Sequence, residues 1–188
     1  VTNPTTGRIW MDRNLGASQA PTSNIDVLAY GDLYQWGRRA DGHQCRTSSA
    51  ISTLSSIDQP AHGNFIQTSS TPPIDWRSPQ NVNLWQGVNG VNNPCPSGYR
   101  IPTEAEMDTE RLSWSTNNSA GAFASPLKWT VAGNRTNGNT LYNVGTYGYY
   151  WNSSVYLTNS RVLRFYSNSA GTLDFNRATG MSVRCVKD

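Results

Sequence analysis

The acidic and histidine side chains are the first candidates for chemistry in this sequence. The carboxylates considered are Asp12, Asp32, Glu104, Glu106 and Glu110. A glycosidase needs two carboxyl groups that converge on one cleft, and the spacing of these five predicts no such pair. His43 and His62 have no accompanying serine or cysteine motif that a general base would activate. The sequence therefore predicts a protein that is not an enzyme.

The three cysteines are the next candidates. Cys45, Cys95 and Cys185 form no Cys-x-x-Cys pair and have no histidine at ligand spacing, so the sequence predicts no zinc site. One disulfide and one odd thiol are expected if the compartment is oxidising. Nothing near Cys45 would activate a thiolate, so we expect it to be unpaired or buried in a loop.

The composition narrows the class of protein. A chain of 188 residues suits one domain. Charged residues make up 14%, against a typical value of about 25%, so Asn, Ser, Thr, Gln and Gly must cover much of the surface. The hydrophobic content is 36%, but seven Trp and nine Tyr are present, and we expect these large rings to build the core. This pattern is typical of secreted or particle-borne β-rich proteins.

The charge and hydropathy patterns exclude two kinds of partner. The net charge is +3 with no Lys/Arg run, so no basic face for nucleic acid is predicted. No stretch approaches the roughly 18 consecutive apolar residues of a membrane span, so no membrane insertion is expected. Val1 opens directly into polar sequence, which indicates a mature chain or an excised fragment rather than a signal peptide.

The first half of the chain is predicted to hold little regular structure. Residues 8–11 suggest a short strand. Apolar residues at i, i+3 and i+7 predict a helix over 33–40, closed by Gly42 as a left-handed C-cap. Residues 43–75 are rich in Ser, Thr and Gln and contain three prolines, and we expect an irregular loop layer there.

The strongest local signal is a helix start near the middle of the chain. Thr103 followed by Glu106 forms a capping box, in which each side chain satisfies a free backbone N–H. A helix over 104–112 is predicted, facing inward through Met107 and Leu112, with its other carboxylates solvated.

The second half is predicted to form antiparallel strands. Short apolar runs separated by Gly, Asn and Ser follow the helix, with a turn at Asn137 and Gly138. These runs are "LKWTVAG", "GYYWNSSVY", "RVLRFYS", "TLDF" and "MSVRCVKD". The sequence therefore predicts one α+β domain over residues 1–188.

Four segments of the sequence carry a resemblance to a known family. They are "GRIWMDRNLGA", "YGDLYQWGRRADGHQ", "NPCPSGYRIPTEAEM" and "YYWNSS…LRFY…RATGMSVRCVKD". Together they resemble the Fibrobacter succinogenes major paralogous domain, from about Gly7 to Lys187, with a weaker match over 43–75 and 113–140. That family looks like a divergent branch of the C-type lectin fold. The resemblance implies two helices, an antiparallel sheet and long ordered loops.

The C-terminal segment, residues 149–184, also resembles the variable proteins of diversity-generating retroelements. Those systems mutate adenines in a 3′ segment of a gene, and Asn, Tyr, Ser and Thr codons are rich in adenine. If Leu163 faces the core, strand alternation turns Val162 and Arg164 outward, and the same rule turns Ser182 and Arg184 outward. The exposed ligand-binding residues expected in this segment are Asn152, Tyr156, Thr158, Asn159, Arg161, Arg164, Tyr166, Asn168, Asp174 and Asn176.

The resemblance also bears on the cysteines and on three residues near the C-terminus. In C-type lectin-like folds a cysteine placed like Cys95 commonly pairs with one placed like Cys185, and two reduced buried thiols are the alternative. Arg177, Gly180 and Arg184 belong to the family pattern. We interpret them as scaffold, with Gly180 in a turn and Arg184 bonded to a buried carboxylate or carbonyls.

Calcium-dependent sugar binding is not expected. The run Trp151-Asn152-Ser153 is similar to the Trp-Asn-Asp strand of calcium-dependent lectins, but Ser153 replaces the carboxylate. Calcium prefers several oxygen ligands that usually include carboxylates. We therefore predict no metal site and no cofactor, and a structural calcium held by loop carbonyls is the one exception that the pattern leaves open.

The function implied is attachment. The domain would display a diversified surface that joins a phage tail or a bacterial surface structure to a cell-surface protein or glycan. It would be extracellular, on a cell surface or on a virion, as a homo-oligomer or part of a multivalent particle, because several weak sites raise avidity. The alternative is a structural module of a filament, tail or cell-wall assembly, whose C-terminal face packs on a neighbouring subunit.

Overall fold

A computed structural model describes all 188 residues, and its elements form an α+β architecture. Two α-helices, α1 (Glu104–Leu112) and α2 (Ser119–Ala124), follow a 3₁₀ turn at Val27–Ala29. The strands are β1 (Tyr34–Gln35), β2 (Ala50–Ile51), β3 (Phe65–Ile66), β4 (Tyr99–Arg100), β5 (Asn134–Arg135), β6 (Leu141–Tyr142), β7 (Gly148–Tyr156), β8 (Asn159–Phe165), β9 (Ala170–Phe175), β10 (Gly180–Met181) and β11 (Val186–Lys187). No helix is long and apolar enough to cross a membrane.

The longest strands form one antiparallel sheet in the order β7-β8-β9. The other sheets are made of two-residue strands: an antiparallel sheet in the order β1-β10-β5-β6, the antiparallel pair β4–β11, and the parallel pair β2–β3. The predicted turn at Asn137 and Gly138 is confirmed, because it joins the antiparallel strands β5 and β6.

Both faces of the long sheet are covered by apolar packing. On one face Tyr150, Leu163 and Phe165 pack with α1 in a core cluster. On the other face Trp151 and Val162 belong to a second cluster. Strand alternation therefore directs successive residues into two different cores rather than into core and solvent. The prediction that Val162 faces outward is wrong for this reason, since Val162 is fully buried.

The tryptophans build both cores, as expected from composition. All seven are buried, and Trp10, Trp129 and Tyr150 meet edge to face within one cluster. Such edge-to-face pairs add about 0.5–1.5 kcal/mol beyond the burial of their area. A chain with few aliphatic residues thus reaches a dense interior through its rings.

The early helix and strand predictions are wrong. Residues 33–40 form β1 and a turn, because Gly37 takes a left-handed φ of 84° directly after buried Trp36. Residues 8–11 contribute only isolated bridges, in which Ile9 pairs with Thr2 and Trp10 with Val186. The irregular layer over 43–75 is confirmed, apart from the short parallel pair β2–β3.

Two further segments differ from expectation. Helix α1 and its capping box are confirmed, but Leu112 is 73% exposed, so only Met107 of the two predicted residues faces the core. The run "LKWTVAG" is not a strand, and a second helix that the sequence did not suggest, α2, lies just before it with Asn118 as its N-cap.

Candidate ligand-binding site

The carboxylate of Glu106 caps helix α1 and is occupied by hydrogen bonds and ion pairs within the protein. It accepts a hydrogen bond from the backbone N–H of Thr103 at 2.9 Å and two from the Arg100 guanidinium at 2.7 and 2.8 Å, and it pairs with Arg8 at 3.0 Å. Burial opposes ionisation, but the Arg100 and Thr103 hydrogen bonds outweigh it and hold the pKa of Glu106 at about 2. Glu106 therefore stays ionised and is not a proton donor near neutral pH.

Glu110 was expected to be solvated, and that expectation is wrong. It is 1% exposed, and its carboxylate accepts hydrogen bonds from Asn3 Nδ2 at 2.6 Å and from the indole N–H groups of Trp114 and Trp129 at 3.2 and 3.3 Å. Neutral donors surround it completely, so it organises the core and has no access to a substrate.

The other three carboxylates are separate from one another. Asp12 pairs with its neighbour Arg13 at 2.9 Å, and Glu104 accepts from Arg161 at 3.1 Å. Burial raises the pKa of Asp32. Asp12 and Glu104 are thus each paired with a different arginine, and Asp32 lies in a partly buried position of its own.

A histidine–aspartate pair is present but is structural. His43 is fully buried, with Nδ1 2.6 Å from Asp41 Oδ1, and its Nε2 accepts a hydrogen bond from the Gln35 N–H at 3.0 Å. Burial lowers the pKa of His43 to about 4. Because both ring nitrogens are occupied, the imidazole cannot serve as a base. The Cys45 thiol is exposed and unpaired, and this histidine is not available to activate it.

The structure contains the disulfide that the resemblance implied. Cys95 and Cys185 are bonded across a sequence separation of 90 residues, with their Cα atoms 5.9 Å apart. No group of three or more His, Cys, Asp or Glu side chains converges where it could hold a metal ion. Ser153, at the position of the lectin carboxylate, is buried, and its N–H and hydroxyl both donate to the Pro102 carbonyl.

Four of the predicted ligand-binding residues line one cleft. Thr158, Asn159, Asp174 and Asn176 lie at the end of the sheet where β7 turns into β8 and where β9 ends, together with Phe175, Pro72 and Ile74. The cleft has a volume of about 300 Å³. It offers a hydroxyl, two amides, a carboxylate and one aromatic ring, which is a set of groups that can hydrogen-bond and stack on a ligand without covalent chemistry.

The polar groups of this cleft are held in place from below. Asn159 Nδ2 donates to Asp174 Oδ2 at 2.6 Å across the strands. Buried Arg177 donates to the Asn159 carbonyl at 3.1 Å and to Ser160 Oγ at 3.0 Å, and its guanidinium lies over the Trp36 ring. The interpretation of Arg177 as a structural residue is therefore confirmed. Its hydrogen bonds hold the backbone at Asn159, which is part of the cleft lining.

A second support joins the cleft to the irregular layer. Gln80 Nε2 donates to the Thr158 carbonyl and to Asp75 Oδ2, each at 2.9 Å. Asp75 is 3% exposed, and burial raises its pKa to about 6. Arg177 Nη1 lies 3.8 Å from this carboxylate. Nothing in the sequence marked these loop residues, because only the path of the loop layer brings Pro72 and Ile74 to the cleft and places Asp75 and Gln80 beside it.

The remaining predicted residues lie elsewhere on the sheet. Tyr156 lies under the Arg161 guanidinium, 4.7 Å from it, beside Glu104. Arg164, Tyr166 and Asn168 are at the other end of the sheet, and Arg164 alone is about 17 Å along β8 from Asn159 at about 3.3 Å per residue. The ten predicted residues therefore do not form one site.

The prediction that Asn152 is exposed and binds a ligand is wrong. It is fully buried, its Oδ1 accepts from the Ser154 N–H, and its backbone carbonyl accepts from Trp36 Nε1. Because β7 is covered on both faces here, no side chain of this stretch can reach a ligand. Ser182 and Arg184 were also expected to face outward, and both are fully buried.

Arg184 and Gly180 both have structural roles, but Gly180 does not form the turn that was predicted for it. Arg184 donates to Asn14 Oδ1 and to the Leu127 carbonyl, which confirms the pairing with a carbonyl. Gly180 lies in β10 rather than in a turn. A Cβ there would come within 3.1 Å of the Leu33 carbonyl and of the Phe65 ring, so close packing of strands accounts for the glycine.

The turn beside the cleft carries an unusual residue. Leu157 joins β7 to β8 with a left-handed φ of 52° and is 82% exposed. This conformation costs a non-glycine residue about 1–2 kcal/mol. Val155 and Tyr156 are also exposed, so the tip of the hairpin presents apolar surface next to the polar cleft.

No family model matches the chain, and no curated protein and no solved structure matches it. The chain is therefore defined by its own elements, as an α+β protein with two helices, several antiparallel sheets and a disulfide.

Proposed function

We propose that this chain is a C-type lectin-like domain that binds a ligand on a cell surface. It would attach a phage tail or a bacterial surface structure to a cell-surface protein or glycan. The observation that carries the proposal is that Thr158, Asn159, Asp174 and Asn176, which sequence alone suggested, line one open cleft. Binding there would rest on hydrogen bonds and stacking, with no cofactor.

The rigidity of the cleft supports a binding role. The cross-strand bond from Asn159 to Asp174 and the buried Arg177 beneath them fix the donors and acceptors before a ligand arrives. Preorganised groups lose little conformational entropy on binding, so more of the interaction energy appears as affinity. Weak monovalent binding would be compensated by display in several copies on a particle.

Binding to whole cells tests the proposal. The purified domain, labelled and displayed as a tetramer, is screened against a panel of bacterial isolates, and isolates that bind are titrated with monomer. We expect Asp174→Asn and Asn159→Ala each to weaken binding about 10-fold. The first replaces a charged acceptor oxygen with an NH₂ donor and the second removes the side-chain amide, and each loss is worth about 1.5 kcal/mol.

The matched control is Asn89→Ala. Asn89 is an exposed turn asparagine outside both the cleft and the C-terminal segment, so its loss should leave the affinity unchanged. A domain that binds no isolate, or cleft variants that bind as well as Asn89→Ala, would contradict the proposal and favour a structural module of an assembly.

We also propose that the surface is diversified at the gene level, within limits that burial imposes. Residues 177–184 are all buried, and so are residues 149–153, so substitution there would damage the core. Sequencing of the gene's 3′ end in a natural population should show adenine-directed changes concentrated in codons 154–176. Changes spread evenly over the gene, or clustered in codons 177–184, would refute diversification of this surface.

A further inference from the structure

A second cavity lies on the other side of one wall of the cleft. It has a volume of about 570 Å³, and Thr71, Pro73 and Asp75 line it. The intervening residues Pro72 and Ile74 line the cleft described above. Alternate residues of one short segment thus face two cavities. Residues 71–75 are a shared wall.

Part of the lining of this second cavity comes from the residues that follow the parallel strands β2 and β3. Ser52 and Gln67 follow directly on these strands and both line the cavity. Parallel strands end at the same edge, so their succeeding residues emerge side by side, and the Gln67 N–H donates to the Ile51 carbonyl at 2.8 Å. The cavity is therefore a product of the local fold and not a gap between loose loops.

The turn between β5 and β6 fixes the rim. Asn137 accepts from the Thr68 N–H at 2.9 Å through its carbonyl, and its Nδ2 donates to the Thr68 carbonyl at 3.1 Å. Gly138, next in the turn, lines the cavity. Two distant parts of the chain are thus locked together around the opening.

The lining groups define the chemistry of a ligand. They are mainly hydroxyls, one amide and one carboxylate, and Leu54 and Pro73 are the only lining residues with wholly apolar side chains. No Lys or Arg lines the cavity, which disfavours an anion, and the mixture of polar groups with apolar surface suits a ligand that has both. Mixed donors and acceptors suit a neutral molecule with many hydroxyl groups, such as a sugar ring.

Asp75 is the strongest acceptor in this cavity, and it is already oriented. It receives hydrogen bonds from Gln80 Nε2 at 2.9 Å and from the Arg77 N–H at 3.3 Å while being 3% exposed. Hydrogen bonds to an ionised group are about twice as strong as neutral ones. A ligand hydroxyl that reached this carboxylate would therefore meet a fixed and charged partner.

The two cavities share their support. Gln80 bonds both Asp75, on the second cavity, and the carbonyl of Thr158, on the cleft. We propose that the second cavity is a sugar-binding subsite, and that the ligand of the cleft is a glycan chain whose successive units occupy both sides of the wall 71–75. This inference rests on the proposed function and deepens it, because it selects a glycan over a protein as the target.

The first arm of the test treats cells that the domain binds. Periodate oxidation of surface sugars should abolish binding, whereas protease digestion of the same cells should leave it intact. If protease abolishes binding and periodate does not, attachment stands and the glycan inference is overturned. If no isolate is bound, the proposed function fails, and the second arm still decides whether the cavity takes sugars.

The second arm uses purified domain and defined probes. Monosaccharides and a panel of di- to tetrasaccharides of known sequence, chosen without reference to any isolate, are titrated while the Gln67 side-chain amide is followed by NMR. We expect Gln67→Ala to weaken tetrasaccharide binding up to about 10-fold, the effect of one hydrogen bond. Ser70→Ala is the matched control, since exposed Ser70 lies beside the cavity without lining it.

The unfolding temperature of Gln67→Ala shows whether a loss of sugar binding comes from the cavity or from a damaged fold. Gln67 is partly exposed and its side chain lines an open cavity, so its truncation should leave the unfolding temperature unchanged. An unperturbed Gln67 signal at saturating sugar, or equal affinities for Gln67→Ala and Ser70→Ala, would overturn the inference.

Discussion

Replacing both Cys95 and Cys185 with alanine is expected to lower the free energy of unfolding by about 4–5 kcal/mol. The bond closes a loop of 90 residues, and a cross-link of that length removes much of the conformational entropy of the unfolded chain. The measurement is urea unfolding followed by tryptophan fluorescence. For a domain of this size the melting temperature should fall by about 10–15 °C.

The control for the disulfide is Cys45→Ala. Cys45 is exposed and unpaired, so its replacement should change stability by less than about 0.5 kcal/mol. Reducing agent should destabilise this variant as much as the double replacement does. Equal stability of the double variant and Cys45→Ala would mean that the bridge contributes nothing, contrary to the loop-entropy argument.

The second large effect is expected at Asn14, which joins four parts of the core. Its Oδ1 accepts from Arg184 Nε at 3.0 Å and Nη2 at 2.8 Å, and its Nδ2 donates to the Tyr30 carbonyl at 3.0 Å and lies 3.1 Å from the Tyr150 hydroxyl. Asn14 and Arg184 are both buried, and Arg184 has no carboxylate partner within salt-bridge distance. The amide oxygen therefore carries most of the compensation for a buried positive charge.

Asn14→Ala should cost about 3–5 kcal/mol of unfolding free energy. The substitution leaves the guanidinium of Arg184 with only the Leu127 carbonyl and the face of Trp129, and a buried charge that loses its partner is strongly destabilising. Chemical denaturation measures the loss. Asn168→Ala, at an exposed asparagine, should stay within about 0.5 kcal/mol of the parent protein. A loss at Asn14 as small as that would show that Arg184 is solvated after all.

Local signals in the sequence were sufficient for the elements that depend on near neighbours. The capping box of Thr103 and Glu106 involves residues three apart, so the start of α1 could be predicted without knowing the fold. The Asn137–Gly138 turn is local in the same sense. The tryptophan-built cores followed from composition, because a chain with few aliphatic residues has no other large apolar groups to bury.

Arrangement within the candidate site could be predicted only in part. Thr158, Asn159, Asp174 and Asn176 were predicted from their residue types, and the structure brings them into one cleft. Residues from the loop layer complete the walls, and no periodicity marks which residue of an irregular segment will face a cavity. Their placement depends on contacts over about 80–100 positions of sequence, such as Gln80 with Thr158 and Asp75 with Arg177.

The sequence by itself determined the α+β class, the capped helix, the aromatic interior and a set of polar residues near the C-terminus. Only the tertiary structure decided which of those polar residues reach solvent. Alternation along a strand predicts an outward face only when one side of the sheet is bare. Here two cores enclose β7 and β8, so Asn152 and Val162 are buried while Asn159, at the open end of the sheet, lines the cleft.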